Sequence, residues 1–344
     1  MNQPLPDRGH LLQRTRRARA TARAWPSPRL RSSSAIGLLA LSLAASAAFA
    51  DTLKVGPHHP LRLPSQAAAL ARDGDTIEIE AAYYPGDAAV WRASNLTIRG
   101  IGGKAQLLSQ GVTAEGKAIW VVKGRNTTIE NIAFIDARVP DRNGAGIRLE
   151  GANLTVRDCL FRDNENGILT GANPESEVLV EGSEFDHNGH GDGRSHNIYI
   201  GAIRKFTLRN SVSQNARIGH QVKSRAAVTL IQNNRIQDGP TGRSSYLIDL
   251  PSGGDAVIEG NTLHRGKWAE NHTMVAYGAE NMPHAMNQLR VIGNTFVNDL
   301  RQGCRLIWVK PRIATAAVSR NRFVGCTRID GAVQMADNIT MAKE

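Results

Sequence analysis

The sequence predicts an all-β, single-domain right-handed parallel β-helix, a solenoid with a short N-terminal capping helix, on three observations. An apolar-x-apolar strand with a small or asparagine turn recurs along the chain, its alternation has period two, and no long helical stretch separates the copies. The copies read Leu96-Thr97-Ile98-Arg99-Gly100, Thr128-Ile129-Glu130-Asn131-Ile132, Leu154-Thr155-Val156-Arg157-Asp158-Cys159 and Leu179-Val180-Glu181-Gly182. They continue as Leu208-Arg209-Asn210, Ile231-Gln232-Asn233-Asn234, Ile258-Glu259-Gly260-Asn261, Val291-Ile292-Gly293-Asn294 and Val318-Ser319-Arg320-Asn321. A spacing of about 22 to 33 residues marks a stacked solenoid, in which each unit buries its apolar face only against its neighbours. Stacking puts Asn234, Asn261, Asn294 and Asn321 in register, where their amides can bond up the stack.

Residues 1–50 read as a signal peptide and 51–344 as the β-helix domain. An arginine-rich stretch (Arg14 to Arg31) precedes an apolar run ending in Ala48-Phe49-Ala50, a small-x-small cleavage pattern that would leave Asp51 as the mature N-terminus. The expected location is therefore periplasmic or secreted. Arg16-Arg17 only weakly suggests a twin-arginine signal. No later segment is apolar for long enough to span a membrane. The whole chain has 42 basic and 31 acidic residues; the leader holds eight arginines and one acid, leaving 34 against 30. A net +4 over the domain argues against nucleic acid or an anionic membrane as partner, and no protein partner is inferable.

At the start of the domain, Pro64 to Asp73 reads as a short helix with Ser65 as N-cap, shielding the open end of the first coil. Gly74-Asp75-Thr76-Ile77-Glu78-Ile79 then begins the first strand. Export makes a disulfide possible. Cys304 and Cys326 lie 22 residues apart, about one coil, so they are candidate partners, whereas Cys159 reads as a small buried hydrophobe. No cap is evident after Asn321.

A second column of strands carries the chemistry: Gly146-Ile147-Arg148-Leu149, Gly167-Ile168-Leu169, His196-Asn197-Ile198-Tyr199-Ile200, His220-Gln221-Val222-Lys223-Ser224, Tyr246-Leu247-Ile248-Asp249-Leu250 and His272-Thr273-Met274-Val275. Alternation turns Ile147, Ile168, Ile198, Val222 and Ile248 inward and Tyr199, Lys223 and Asp249 outward on successive coils, about 4.8 Å apart. His196, His220, Tyr246 and His272 form a file at the strand starts. An ordinary solvated strand face carries serine, threonine and scattered charges; this one carries a general acid–base set. The coil entering His196 is lengthened by Asp186-His187-Asn188-Gly189-His190-Gly191-Asp192-Gly193-Arg194-Ser195, a loop able to reach over that face. Glu270 and His272, with Tyr277 and Glu280, bound the far side, and Arg217 and Arg225 flank the lysine strand.

The helix followed by Gly74-Asp75-Thr76-Ile77 and the strand Leu96-Thr97-Ile98-Arg99-Gly100 resembles the pectate-lyase-like superfamily of right-handed β-helices, over about residues 53 to 340. Ser195-His196-Asn197 and Gly219-His220-Gln221-Val222-Lys223-Ser224-Arg225 resemble the His-Gly and Ser-Arg strands of alginate C5-epimerases. The acidic motif of those enzymes is only approximated by Asp186-His187 and Asp192. The superfamily holds lyases, epimerases, hydrolases and binding proteins, so the resemblance is specific for fold and weak for reaction.

Lysine and arginine beside tyrosine and histidine suit an acidic sugar, so the expected substrate is a uronate-containing polysaccharide. Elimination or epimerisation would begin by removing the C5 proton. His220 is the preferred base, Lys223 a carboxylate anchor or alternative base, Tyr199 or His196 the proton donor, and Asp249 a further catalytic group. Arg217, Arg225, Asn197, Gln221, Tyr246, His190, Glu270, His272 and Tyr277 are candidate substrate contacts. Two rivals stand beside this reading: a glycoside hydrolase pairing Asp249 with Asp192, Glu270 or Glu280, and a glycan-binding solenoid with Trp268 and Trp308 flanking the groove. No cofactor is expected. Zinc at His187, His190, Asp192 and His196 is a weak pattern, and calcium at Asp186, Asp192 and Asp249 stays open.

Overall fold

The structure, a computed structural model, describes residues 50–300, 302–310 and 315–343. The expected signal peptide, apart from Ala50, lies outside the described residues. Within them the chain winds into three parallel sheets of twelve, eleven and ten strands, each coil adding one strand to each sheet. The first sheet runs from Thr52–Val55 to Val333–Ala336, the second from Tyr83–Pro85 to Ile339–Met341 and the third from Ala89–Trp91 to Ile329–Asp330. Among the described residues no helix is long and apolar enough to cross a membrane.

Every repeat copy lands on the first sheet in register, as Thr97↔Thr128 and Leu208↔Ile231 illustrate. Period-two alternation puts one side-chain set into the coil: Ile98, Ile129, Val156, Val180, Leu208, Ile231, Ile258, Val291 and Val318 are all buried. The outward set carries alternating charges. Arg99 pairs with Glu78 at 2.6 Å, Arg157 with Glu130 at 3.0 Å and Glu181 at 3.5 Å, and Arg209 with Glu181 at 2.8 Å. These side chains occupy successive register positions, with Arg99 opposite Glu130 between the first two pairs.

An asparagine ladder and an aromatic stack fill the corners. Asn234 donates its amide to the Oδ1 of Asn261 at 2.9 Å, Asn261 to Asn294 at 2.9 Å, Asn294 to Asn321 at 3.0 Å and Asn321 to Asn338 at 2.9 Å. The predicted ladder is thus one coil longer than the sequence suggested. Phe134, Phe161 and Phe185 stack at 5.0 and 4.7 Å between ring centres. Glycine at 146 and 167 makes room for them: a Cβ at Gly146 would lie 2.8 Å from the Phe161 ring and one at Gly167 2.7 Å from that of Phe185.

The N-terminal end differs from expectation in three ways. Thr52–Val55, not the Gly74–Ile79 segment, is the first strand, and it pairs with Thr76–Glu80. The helix spans only Pro64–Leu70. Ser65 is not its cap: Leu63 holds that position, the Gln66 side chain accepts the Leu63 N–H at 3.0 Å, and the Ser65 N–H is committed to Asp87. At the other end Cys304 and Cys326 form a disulfide, with Cα atoms 6.0 Å apart, while Cys159 is free and buried. Met335, Ile339 and Met341 on the last coil are exposed.

Candidate active site

The third sheet builds the site. Ile147, Ile168, Ile198, Val222 and Ile248 are fully buried, as alternation requires. Between them one outward column runs in direct register through Arg148, Leu169, Tyr199, Lys223, Asp249, Ala276 and Trp308. The predicted triad therefore stands on three successive coils. A groove of about 620 Å³ opens beside it, lined by Arg142, Arg148, Leu169, Arg194, Tyr199 and Arg225. The sequence reading passed over Arg142, Arg148 and Arg194, although alternation along Gly146-Ile147-Arg148-Leu149 already turned Arg148 outward.

Asp249 is the hub. Its Oδ2 lies 3.5 Å from Lys223 Nζ and 3.4 Å from His220 Nε2, and its Oδ1 is buried with no hydrogen-bond partner among the described residues. Burial pushes its carboxyl up to about 6, outweighing the opposing pull of the Lys223 charge. Lys223 sits 5.4 Å from the centre of the Tyr199 ring, a cation–π contact. The Tyr199 oxygen accepts from Arg225 Nε at 3.3 Å, so its own O–H points elsewhere. Arg225 is otherwise spent: it grips Glu280 with two bonds of 2.7 and 2.9 Å and donates to Ser252 at 3.3 Å. That grip holds the Glu280 carboxyl below its usual range and the Arg225 guanidinium above its own.

The histidine file is a structural relay between coils. His196 and His220 stack 4.5 Å apart at 9°, and Tyr246 tilts against His220 at 5.0 Å. His196 Nδ1 accepts the His220 N–H at 3.0 Å, and His220 Nδ1 accepts the Tyr246 N–H at 3.1 Å. A nitrogen that accepts an N–H bears a lone pair, so the proton of each neutral ring is on Nε2. Burial, reinforced by Lys223 and Arg265, holds His220 down to about 3, and burial with the His220 ring keeps His196 well below its ordinary value. This corrects the preferred role of His220. Its Nδ1 is occupied and its Nε2–H faces Asp249, so no ring nitrogen is free to take a substrate proton. His196 is bound the same way at Nδ1, and its ring meets Tyr199 edge to face at 5.2 Å.

Several candidate substrate contacts lie elsewhere. Asn197 and Gln221 are buried in the coil corner, where Asn197 Nδ2 donates to Gln221 Oε1 at 2.6 Å and Gln221 Nε2 to the Gln237 carbonyl at 3.0 Å. Each immediately precedes an inward residue, the place Gly146 and Gly167 take on earlier coils, and that column faces in. Tyr277 is buried and donates to the Gly254 carbonyl, making it a core residue. Arg217 pairs with Asp163 and lines a separate cavity of about 220 Å³ with His187 and Arg243, not the Tyr199 groove. His190 faces Glu165 at 3.3 Å, and Glu270 is held by Arg243. His272 leaves the file, since Val275 stands opposite Ile248 and Thr273 therefore takes the place that follows Tyr246, and the His272 Nε2 faces Arg305 at 3.3 Å. Behind the file, buried Arg265 donates to Asp238 and to the Ser245 carbonyl before Tyr246, a support the sequence did not reveal.

The candidate metal sets do not converge. His187 Nδ1 pairs with Asp186, His190 with Glu165, and His196 Nδ1 with a backbone N–H. Among the described residues no group of three or more His, Cys, Asp or Glu side chains is arranged to hold a metal. Asp249, the one carboxylate at the hub, faces an ammonium and an imidazole N–H, a donor set that does not fit calcium.

Comparison with known proteins agrees with the architecture. Residues 83–242 match the family described as right handed beta helix region. No curated protein matches the chain in sequence. An alginate lyase from Paenibacillus sp. str. FPU-7 is similar in structure, with a TM-score of 0.62 and 17% identity over 84% of this chain and 99% of that one. A DFA-IIIase from Arthrobacter chlorophenolicus A6, solved without its lid in complex with GF2, gives 0.55 and 14% over 84% and 94%. Pectate lyase Pel9A gives 0.53 and 12% over 84% and 79%. At these identities the likeness establishes a shared fold: the chain is a right-handed parallel β-helix.

Proposed function

We propose that the protein is an exported enzyme that acts on an acidic, uronate-containing polysaccharide by removing the C5 proton, as a β-elimination lyase or a C5-epimerase. The observation that carries this reading is the outward column itself: a phenol, an ammonium and a buried carboxylate with one unpartnered oxygen on consecutive coils, beside a groove rich in guanidinium groups. Lys223 neutralises the sugar carboxylate, which makes C5–H acidic and steadies the charge that develops there. Asp249 takes the C5 proton; a carboxyl near 6 is a better base at neutral pH than one at its ordinary value. The C5 electron pair becomes the C4=C5 double bond, the C4–O4 bond breaks, and Tyr199 donates its proton to O4. Epimerisation follows if the carbanion instead takes a proton at C5 from the opposite face. His220 works through Asp249, as the N–H that orients its carboxylate.

A hydrolase reading has one specific support. Burial raises Asp249 while Arg225 lowers Glu280, the divergence expected of an acid and a base flanking a glycosidic bond. One experiment separates these outcomes: purified protein with a panel of acidic polysaccharides, followed by absorbance of unsaturated uronate, reducing-end release and C5 proton exchange. Rising ultraviolet absorbance, lost in Tyr199→Phe and Asp249→Asn, identifies elimination. Exchange without absorbance identifies epimerisation, reducing ends without absorbance hydrolysis, and binding with none of the three a glycan-binding solenoid.

A further inference from the structure

Arg148 stands at the other end of the outward column, two coil steps from Tyr199, with the apolar Leu169 between them. Two steps of about 4.8 Å put it roughly 10 Å from Tyr199 along the solenoid axis. Its Nε is buried and has no hydrogen-bond partner among the described residues. Arg265 Nε is in the same state, but the Arg265 guanidinium is paired with Asp238. Arg99, Arg157, Arg209, Arg225, Arg243 and Arg290 all meet carboxylates. Arg142 and Arg194 line the same groove, and neither guanidinium has an ion pair or hydrogen bond among the described residues. The acids beside them are turned into their own loop turns: Asp141 accepts from the Asn143 amide at 3.4 Å and Asp192 from the Arg194 N–H at 3.0 Å. Arg225, at the Tyr199 end, is already neutralised by Glu280. Asp141 and Asp192 line the groove as well, so three guanidinium groups face two carboxylates and leave it net positive, and among the three Arg148, standing in the outward column with an unused N–H, matches a carboxylate best.

We propose that Arg148, aided by Arg142 and Arg194, forms a second anion subsite that holds a carboxylate of the same glycan chain, remote from the one being processed. Resting on the acidic-glycan reading, this narrows the substrate to chains carrying acidic sugars in succession, as opposed to an isolated uronate among neutral sugars. Leu169 then supplies the apolar floor over which the intervening sugar passes.

The test measures binding of an oligouronate six sugars long, and of its fully methyl-esterified form, by calorimetry. Wild type should bind the acid form at least tenfold more tightly than the ester. Arg148→Ala should lose about tenfold in affinity for the acid form, Arg148→Lys should recover part of it, and Arg204→Ala, on another sheet, should lose nothing. Equal affinity of wild type and Arg148→Ala for the acid form, or of wild type for acid and ester, would overturn the proposal. Turnover on the same oligomer reports on the parent reading separately. Turnover with no Arg148 effect sinks only the subsite, and an Arg148-dependent affinity without any turnover sinks only the enzyme.

Discussion

Replacing Asp249 with asparagine should make the protein more stable relative to wild type as pH rises. In the folded protein the Asp249 carboxyl titrates near 6 against an ordinary value of 3.8, because burial costs more than Lys223 returns. A folded-state value above the unfolded one means the native protein binds more protons between the two. By linkage, wild-type stability then falls as pH climbs from about 4 to about 6 and levels off above. At 1.36 kcal/mol per pH unit that loss is about 3 kcal/mol. Asparagine mimics the neutral carboxyl and does not titrate. The assay is urea denaturation of both proteins at pH 4, 5, 6, 7 and 8, reading the difference between them, which cancels every other titrating group. That difference should grow in favour of Asp249→Asn by about 3 kcal/mol between pH 4 and 6 to 7 and then stay flat. A difference that is constant with pH, or that moves towards wild type, would refute the claim that Asp249 is held ionised at a cost in stability.

Catalysis should show the same titration from the other side. The acid limb of the kcat/KM profile should fall near pH 6, where Asp249 gains its proton, and Tyr199→Phe should cut kcat by about 100-fold with little change in KM. Tyr277→Phe should leave kinetics untouched but cost about 1 kcal/mol of stability, since it deletes only the buried bond to Gly254; altered kinetics would return Tyr277 to the site. Replacing Asn261 with leucine should destabilise by about 2 kcal/mol or more, because the backbone N–H of Asn234 loses its buried acceptor; unchanged thermal melting would contradict this. Reducing Cys304–Cys326, a closure of 22 residues, should cost about 3 kcal/mol, and protease cleavage should then begin in the last coils.

The fold was legible because a solenoid repeats its evidence. Each copy from Leu96 to Val318 states the same register, so errors in one copy are outvoted by the others. The outward column was legible for the same reason, since Ile147, Ile168, Ile198, Val222 and Ile248 fix the phase of every strand. What sequence reasoning lost lies where a strand has not yet begun or where a long side chain chooses its partner. Asn197 and Gln221, named as substrate contacts, precede their strands, where alternation no longer fixes which way a side chain points; only the glycines at 146 and 167 in the same column hinted at a crowded interior. Tyr277, in phase with buried Val275, was available to alternation and was missed because tyrosine was read as chemistry. His220 was located correctly but given the wrong task, because its Nδ1 is claimed by a backbone N–H from the next coil, a partner no sequence pattern announces. Arg217 and Arg225 look alike in sequence, and only the positions of Asp163 and Glu280 send them to different places.

The two ladders on this solenoid obey different arithmetic. In the asparagine ladder every rung is the same residue making the same bond, so the pattern is unchanged by a shift of one coil. The charged file from Glu78 to Arg209 alternates in sign and is unchanged only by a shift of two. Each exposed pair adds about 1 kcal/mol or less, yet a coil inserted or deleted there sets like charges side by side along the file. The two patterns therefore answer differently to an added coil: the asparagine ladder keeps its bonding when one coil is inserted, and the charged file keeps its alternation only when coils are inserted in pairs.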